Sequence, residues 1–103
     1  MGAKLIRDHM DKIPWKVEAA KGLLRPPNDE QEFRELLIQK LLEEVGELVV
    51  ALPGQAMANE MADVLEVLDG ISHLANIRHQ VQQAKIERFL ARGGFQEGLV
   101  WDV

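Results

Sequence analysis

Two acidic repeats, Glu44-Val45-Gly46-Glu47 and Glu60-Met61-Ala62-Asp63, stand twelve residues apart inside the two most apolar stretches of the chain. If each stretch is a helix turning about 100° per residue, Glu44 projects within roughly 20° of Leu37 and 40° of Leu48, on the edge of a leucine stripe. Asp63 shares a bearing with Ala56, Val67 and Leu74, and Glu60 falls between Val67 and Ile71. Both acids therefore face the expected core. Two carboxylates about 5 Å apart repel by about 3 kcal/mol at an effective dielectric of 20, against a total stability of about 5–15 kcal/mol for a whole domain. Such a cluster must be protonated, be paired with Lys or Arg, or hold a cation. Magnesium suits it best, with manganese as the alternative. A hard divalent ion takes carboxylate oxygens, keeps several waters and completes its octahedron with substrate phosphates. The plain alternative is that these are ordinary solvated helix charges.

Convergence of the four acids depends on the elements that carry them. The segment from about Pro26 to Leu52 opens with Pro26-Pro27-Asn28-Asp29, where Asn28 or Asp29 can cap a helix with Gln31 or Glu32 three residues on. Its apolar set is Leu37, Leu41, Val45, Leu48, Val49 and Leu52, and Pro53-Gly54 ends it. A second helix is expected over about Gln55 to Ala75, with the stripe Met57, Met61, Val64, Val67, Leu68, Ile71 and Leu74. Gly70 weakens it by about 1 kcal/mol relative to Ala. So short a link makes the two helices an antiparallel hairpin. Glu47 lies about six residues before the turn and Glu60 about six after it, so they stand level, as do Glu44 and Asp63 one turn further out.

A third helix is expected over about Asn76 to Ala91, with Asn76 as its cap and Gly93-Gly94 as its stop. Lys85, Arg88 and Arg92 recur along one edge, either offering positive charge to phosphate or forming a solvated face balanced by Glu87. Trp15, Val17 and Ala19-Ala20 suggest a short helix after Pro14, and Leu99 to Val103 suggests a brief strand paired with Lys4-Leu5-Ile6. The fold class is therefore all-α, in one domain spanning residues 1–103. Three amphipathic helices leave broad apolar faces that need partner helices. Pairing two hairpins into a four-helix bundle, by homo-oligomerisation, would cover them.

The run Lys40-Leu41-Leu42-Glu43-Glu44-Val45-Gly46-Glu47-Leu48, followed by Glu60-Met61-Ala62-Asp63-Val64, resembles the ExxE…ExxD signature of the all-α nucleoside triphosphate pyrophosphatase (MazG-like) superfamily. Two further segments resemble a branch that opens with a KLVRDKIP-type stretch and closes with RGGF, one that includes house-cleaning and phosphoribosyl-ATP pyrophosphohydrolase-like proteins. Here they read Lys4-Leu5-Ile6-Arg7-Asp8, then Asp11-Lys12-Ile13-Pro14, and Arg92-Gly93-Gly94-Phe95, with His9-Met10-Asp11 intervening between Arg-Asp and Lys-Ile-Pro. The resemblance implies hydrolysis of a nucleotide's α,β-phosphoanhydride to a monophosphate and pyrophosphate, and a dimer or dimer of dimers. It implies Glu44, Glu47, Glu60 and Asp63 as catalytic metal ligands. Lys40, one turn before Glu44, either neutralises the acids or touches phosphate, and Lys85 and Arg92 are weaker phosphate candidates. Glu43 points about 100° away from Glu44, as a surface charge or a water-orienting base.

Composition narrows the alternatives. The formal net charge of −5 argues against binding a nucleic acid polymer. With no cysteine there is neither disulfide nor thiolate metal site, which is compatible with the expected cytoplasmic setting. No apolar run approaches 18 residues, and Met1-Gly2-Ala3-Lys4 lacks the apolar core of a signal peptide. A di-iron carboxylate bundle needs Glu-x-x-His motifs. Ile6, Gly70 and Asn76 stand three residues before His9, His73 and His79, so the chain has none. The competing class is a non-catalytic acidic helical interaction module, whose acids pair with Lys or Arg. Trp15, Phe33, Phe89, Phe95 and Trp101 are core anchors before they are base-stacking residues.

Overall fold

A computed structural model describes residues 3–7 and 24–102. Its three helices are α1 (Glu30–Val50), α2 (Gln55–Leu74) and α3 (Arg78–Arg92), and there is no strand among the described residues. None of these helices is long and apolar enough to cross a membrane. The expected short helix after Pro14, the His9-Met10-Asp11 insertion and Val103 lie outside the described residues.

The start of α1 is later than Pro26 because Asp29 wins the cap. Its side chain accepts from the Glu32 N–H at 2.7 Å, and Glu32 reaches back to accept from the Asn28 N–H at 2.8 Å. This reciprocal arrangement satisfies donors that a helix N-terminus leaves unpaired. Arg25 grips the same Glu32 carboxylate with both guanidinium nitrogens, at 2.7 and 3.0 Å. α1 ends at Val50, two residues earlier than expected. Leu52 precedes Pro53, whose ring disfavours helical geometry at the preceding residue, and Ala51 is already extended at φ −71°, ψ 138°. Gly54, at φ 113°, then makes the turn that a residue with a Cβ would strain to adopt.

α1 and α2 form the expected hairpin, and Leu37 and Val67 are its buried apolar residues. Gly70, a weak point for helix propensity, has a packing role: a Cβ there would stand 3.3 Å from Leu37 Cδ2. That close approach also sets the register. Moving seven residues along α1 from Leu37 reaches Glu44, and moving seven back along α2 from Gly70 reaches Asp63. Moving ten residues from the same two positions reaches Glu47 and Glu60, so they are level too.

Asn76 does not cap α3. It sits at φ 56°, in the left-handed region, and closes α2: its N–H donates to His73 O at 3.0 Å, and the Ile77 N–H donates to Ser72 O at 2.9 Å. This is the Schellman pattern, in which asparagine substitutes for glycine. α3 therefore begins at Arg78 without a side-chain cap, and is tied to α2 by Arg78, which donates to both oxygens of Asp69 at 3.0 and 2.7 Å. The expected strand pairing does not form either. Leu99, Val100 and Trp101 are each more than four-fifths exposed, and an isolated two-stranded pair has no face to pack on. Lys4 and its neighbours are held to the helices instead.

Much of the apolar surface of the hairpin is uncovered. Ile38, Leu42, Val45 and Val49 on α1, and Met61, Leu65 and Leu68 on α2, are exposed at spacings of four and three residues. On α1 these lie about 80–140° from Leu37 in one rotational sense, while Lys40, Glu43, Glu44 and Glu47 lie in the other. On α2, Met61, Leu65 and Leu68 lie in one rotational sense from Val67 and Asp63 in the other. Because the helices are antiparallel, both exposed stripes open on one side of the hairpin, opposite Glu43 and Asp63.

Two outcomes are expected from this packing. Gly70→Val forces Leu37 from its seat and destabilises the protein by about 1–3 kcal/mol in urea denaturation. Arg25, with help from the Asn28 N–H, lowers the Glu32 pKa from 4.5 to about 2. A depressed folded-state pKa contributes stability above the ordinary value that is lost as pH falls through the folded one. Melting temperature should therefore fall between pH 4.5 and about 2, and Glu32→Gln should flatten that fall.

Candidate metal centre

The hairpin brings Glu44, Glu47 and Glu60 together, with one oxygen of each lying within 4.8 Å of the others. Glu44 is the buried member, at 7% exposed, Glu60 is half-buried and Glu47 is exposed. Glu44 Oε2 and Glu60 Oε2 are both shut off from solvent and have no hydrogen-bond partner among the described residues. Orphaned buried carboxylate oxygens are costly, and hard oxygen donors in this number suit a divalent cation. The donor set could therefore hold a divalent cation.

Lys40 stands over the cluster, with Nζ 3.4 Å from Glu44 Oε1 and 3.6 Å from Glu43 Oε2. It neutralises acids, the first of the two roles considered for it, and touches only one oxygen of Glu44. Burial pushes the Glu44 carboxyl above its ordinary range; the nearby Glu47 adds to this and Lys40 opposes it. Asp63 is level with Glu44 but is not among the three converging acids. Arg7 donates to its Oδ1 across a sequence separation of 56 residues.

Glu43 is not a free surface charge. Lys4 Nζ lies 3.0 Å from its Oε1, and this bond, with Lys40 nearby, lowers the Glu43 pKa. Lys4 and Arg7 are the residues that the sequence reading left without a role. Their signal there was the resemblance of Lys4-Leu5-Ile6-Arg7-Asp8 to a KLVRDKIP-type opening, which does not reveal what either side chain meets. Lys85 and Arg92 are exposed on α3, which packs against α2 and not against α1. Neither makes an ion pair with the acids among the described residues.

The arrangement defines an all-helical protein with a partly buried carboxylate cluster between two antiparallel helices. Comparison with protein-family models, with curated proteins and with solved structures finds no match for this chain.

The raised Glu44 pKa has a definite sign. A carboxyl raised by folding contributes most stability below its unfolded pKa, and that contribution is lost as pH rises through the folded value. Glu44→Gln should therefore raise the metal-free melting temperature near pH 7 and abolish any further rise on adding magnesium chloride. Thermal scans with and without the salt check both.

Proposed function

We propose that this protein is a magnesium-dependent nucleotide pyrophosphohydrolase, which consumes one water to cleave the α,β-phosphoanhydride of a nucleoside triphosphate or a phosphoribosyl-ATP-like nucleotide. The products are a nucleoside monophosphate, or its phosphoribosyl counterpart, and pyrophosphate. The observation that carries this reading is the convergence of Glu44, Glu47 and Glu60 around buried oxygens that no group among the described residues satisfies. The ExxE…ExxD resemblance supplies the reaction.

Glu44, Glu47 and Glu60 would hold the ion, with Asp63 as the fourth ligand. A divalent ion bound there offsets phosphate charge and acidifies a bound water. Lys40 opposes the rise in the Glu44 pKa through Oε1 and leaves Oε2 for the ion. Glu43, beside the cluster and held below the ordinary carboxylate range, stays an acceptor at neutral pH and is placed to orient a water.

The assembly proposed with it is a homodimer or homotetramer in which hairpins pair as a four-helix bundle. The exposed stripe Ile38, Leu42, Val45 and Val49 has the four-and-three spacing of a coiled-coil seam. It lies opposite Glu43 and Asp63, so pairing through it leaves the acidic side open to substrate. The ion pairs of Lys4, Arg7 and Lys40 also suit an acidic interaction module that binds no metal, and one assay separates the two.

A panel of nucleoside triphosphates and phosphoribosyl-ATP should give pyrophosphate release with magnesium and none with chelator. Asp63→Asn should lower turnover at least about 100-fold with an unchanged circular dichroism spectrum. Absence of release across the panel, together with no magnesium-dependent rise in melting temperature, would favour the module.

A further inference from the structure

The segment 3–7 crosses the open side of the hairpin and places one cation on each helix: Lys4 on Glu43 of α1 and Arg7 on Asp63 of α2. Three residues of chain reach at most about 10 Å, close to the 8–10 Å between the axes of packed helices, so this spacing suits one segment serving both. The two side chains are nevertheless 62% and 60% exposed. They are held by charge rather than by packing, and exposed ion pairs of this kind are weak. Lys4 also feels the charges of Glu47 and Glu44, which puts its ammonium at the rim of the cluster. The acids that Lys4 and Arg7 neutralise are the neighbours of the acids left without partners.

We propose that Lys4 and Arg7 are phosphate-positioning residues kept in place by internal exchange. In the metal-free protein they serve as the counter-ions of Glu43 and Asp63; a divalent cation bound by Glu44, Glu47, Glu60 and Asp63 displaces Arg7 from Asp63 and repels the Lys4 ammonium from the neighbouring Glu43, and both turn to the phosphates of the substrate. This rests on the metal-dependent nucleotide reading above and adds to it a source of phosphate contacts. The physical basis is competition for a fixed set of charges. A carboxylate that gives its lone pairs to a divalent ion holds a guanidinium less tightly, and a guanidinium turned from a carboxylate matches a phosphate with the same fork of donors. Both cations sit on an unstructured segment outside the helices, so turning them disturbs no helical hydrogen bond.

Exchange predicts effects of opposite sign, which loss of a merely structural contact does not. The full chain and its Arg7→Gln, Arg7→Lys, Lys4→Gln and Glu44→Gln variants are titrated calorimetrically, first with magnesium chloride alone. The second titration uses an α,β-methylene nucleoside triphosphate in magnesium, a probe that resists cleavage at the proposed bond. Arg7→Gln should bind magnesium several-fold more tightly, because a competitor for Asp63 is gone, and the nucleotide about tenfold more weakly, because a charge-assisted phosphate contact is gone. Lys4→Gln should shift both affinities the same way by less, and Arg7→Lys should recover part of the nucleotide affinity. If magnesium binding is lost in Glu44→Gln but both affinities are unmoved, or move together, in Arg7→Gln, the exchange is overturned and the metal site stands. If the unsubstituted chain binds no magnesium, both readings fall.

Discussion

The acidic side of this protein is organised around the Glu44 carboxylate, held two helical turns from Leu37 on the inward face of α1. At 7% exposure, its charge is separated from most of the water that would otherwise stabilise it, and desolvation is the largest of the causes that raise its pKa. Lys40 answers one oxygen from the preceding turn, where helix geometry necessarily places it. Among the described residues, nothing answers the other. Glu60 repeats the situation from α2, with one oxygen equally enclosed and unpaired. Close packing at Leu37 and Gly70 brings the two helices near enough to enclose these atoms, so apolar packing at one level of the hairpin creates the electrostatic demand at the next.

The hairpin divides this work by side. On one side, Glu43 and Asp63 meet the cations of segment 3–7; on the other, Ile38, Leu42, Val45, Val49, Met61, Leu65 and Leu68 lie in water. Each helix carries apolar residues over more of its circumference than one partner can cover, and the uncovered portion falls on a single side because the helices are antiparallel. α3 does little to change this. It packs against α2, is pinned there by the Arg78–Asp69 pair, and leaves Ile86, Phe89 and Leu90 more than half exposed.

The features legible in the sequence were those set by local chemistry. Helix periodicity, the Asp29 cap with Glu32 and the Pro53-Gly54 turn all act within a few residues, so the hairpin and its register were readable. So was the convergence of Glu44, Glu47 and Glu60, which follows from counting outward from the turn. Asn76 misled because one residue type serves two purposes: asparagine caps helix N-termini with its side chain, and ends helices by tolerating positive φ. The choice between them depended on which helix it joined more tightly. The strand expected near the C-terminus reflected β-branched and aromatic residues with nothing to pack on. The Lys4–Glu43 and Arg7–Asp63 pairs were invisible for another reason. They join positions 39 and 56 residues apart, through side chains whose reach periodicity does not encode.

Among the described residues, pairing on the acidic side is also incomplete by charge. Glu43, Glu44, Glu47, Glu60 and Asp63 carry five formal negative charges, and Lys4, Arg7 and Lys40 supply three positive ones. The remainder of two equals the charge of one divalent ion. Its location matters more than its size. The three cations lie on Glu43, Asp63 and a single oxygen of Glu44, whereas the unpartnered oxygens belong to Glu44 and Glu60 in the enclosed part of the hairpin. A long flexible cation satisfies acids at the rim, where water shares the load. The enclosed oxygens need either protons, which the raised pKa of Glu44 favours, or a compact ion small enough to sit between the helices. The two alternatives differ in what they ask of neighbouring acids. A proton satisfies one carboxylate and leaves the others as they were, while a divalent ion draws Glu44, Glu47 and Glu60 onto a common centre, which is the arrangement that the hairpin register already provides.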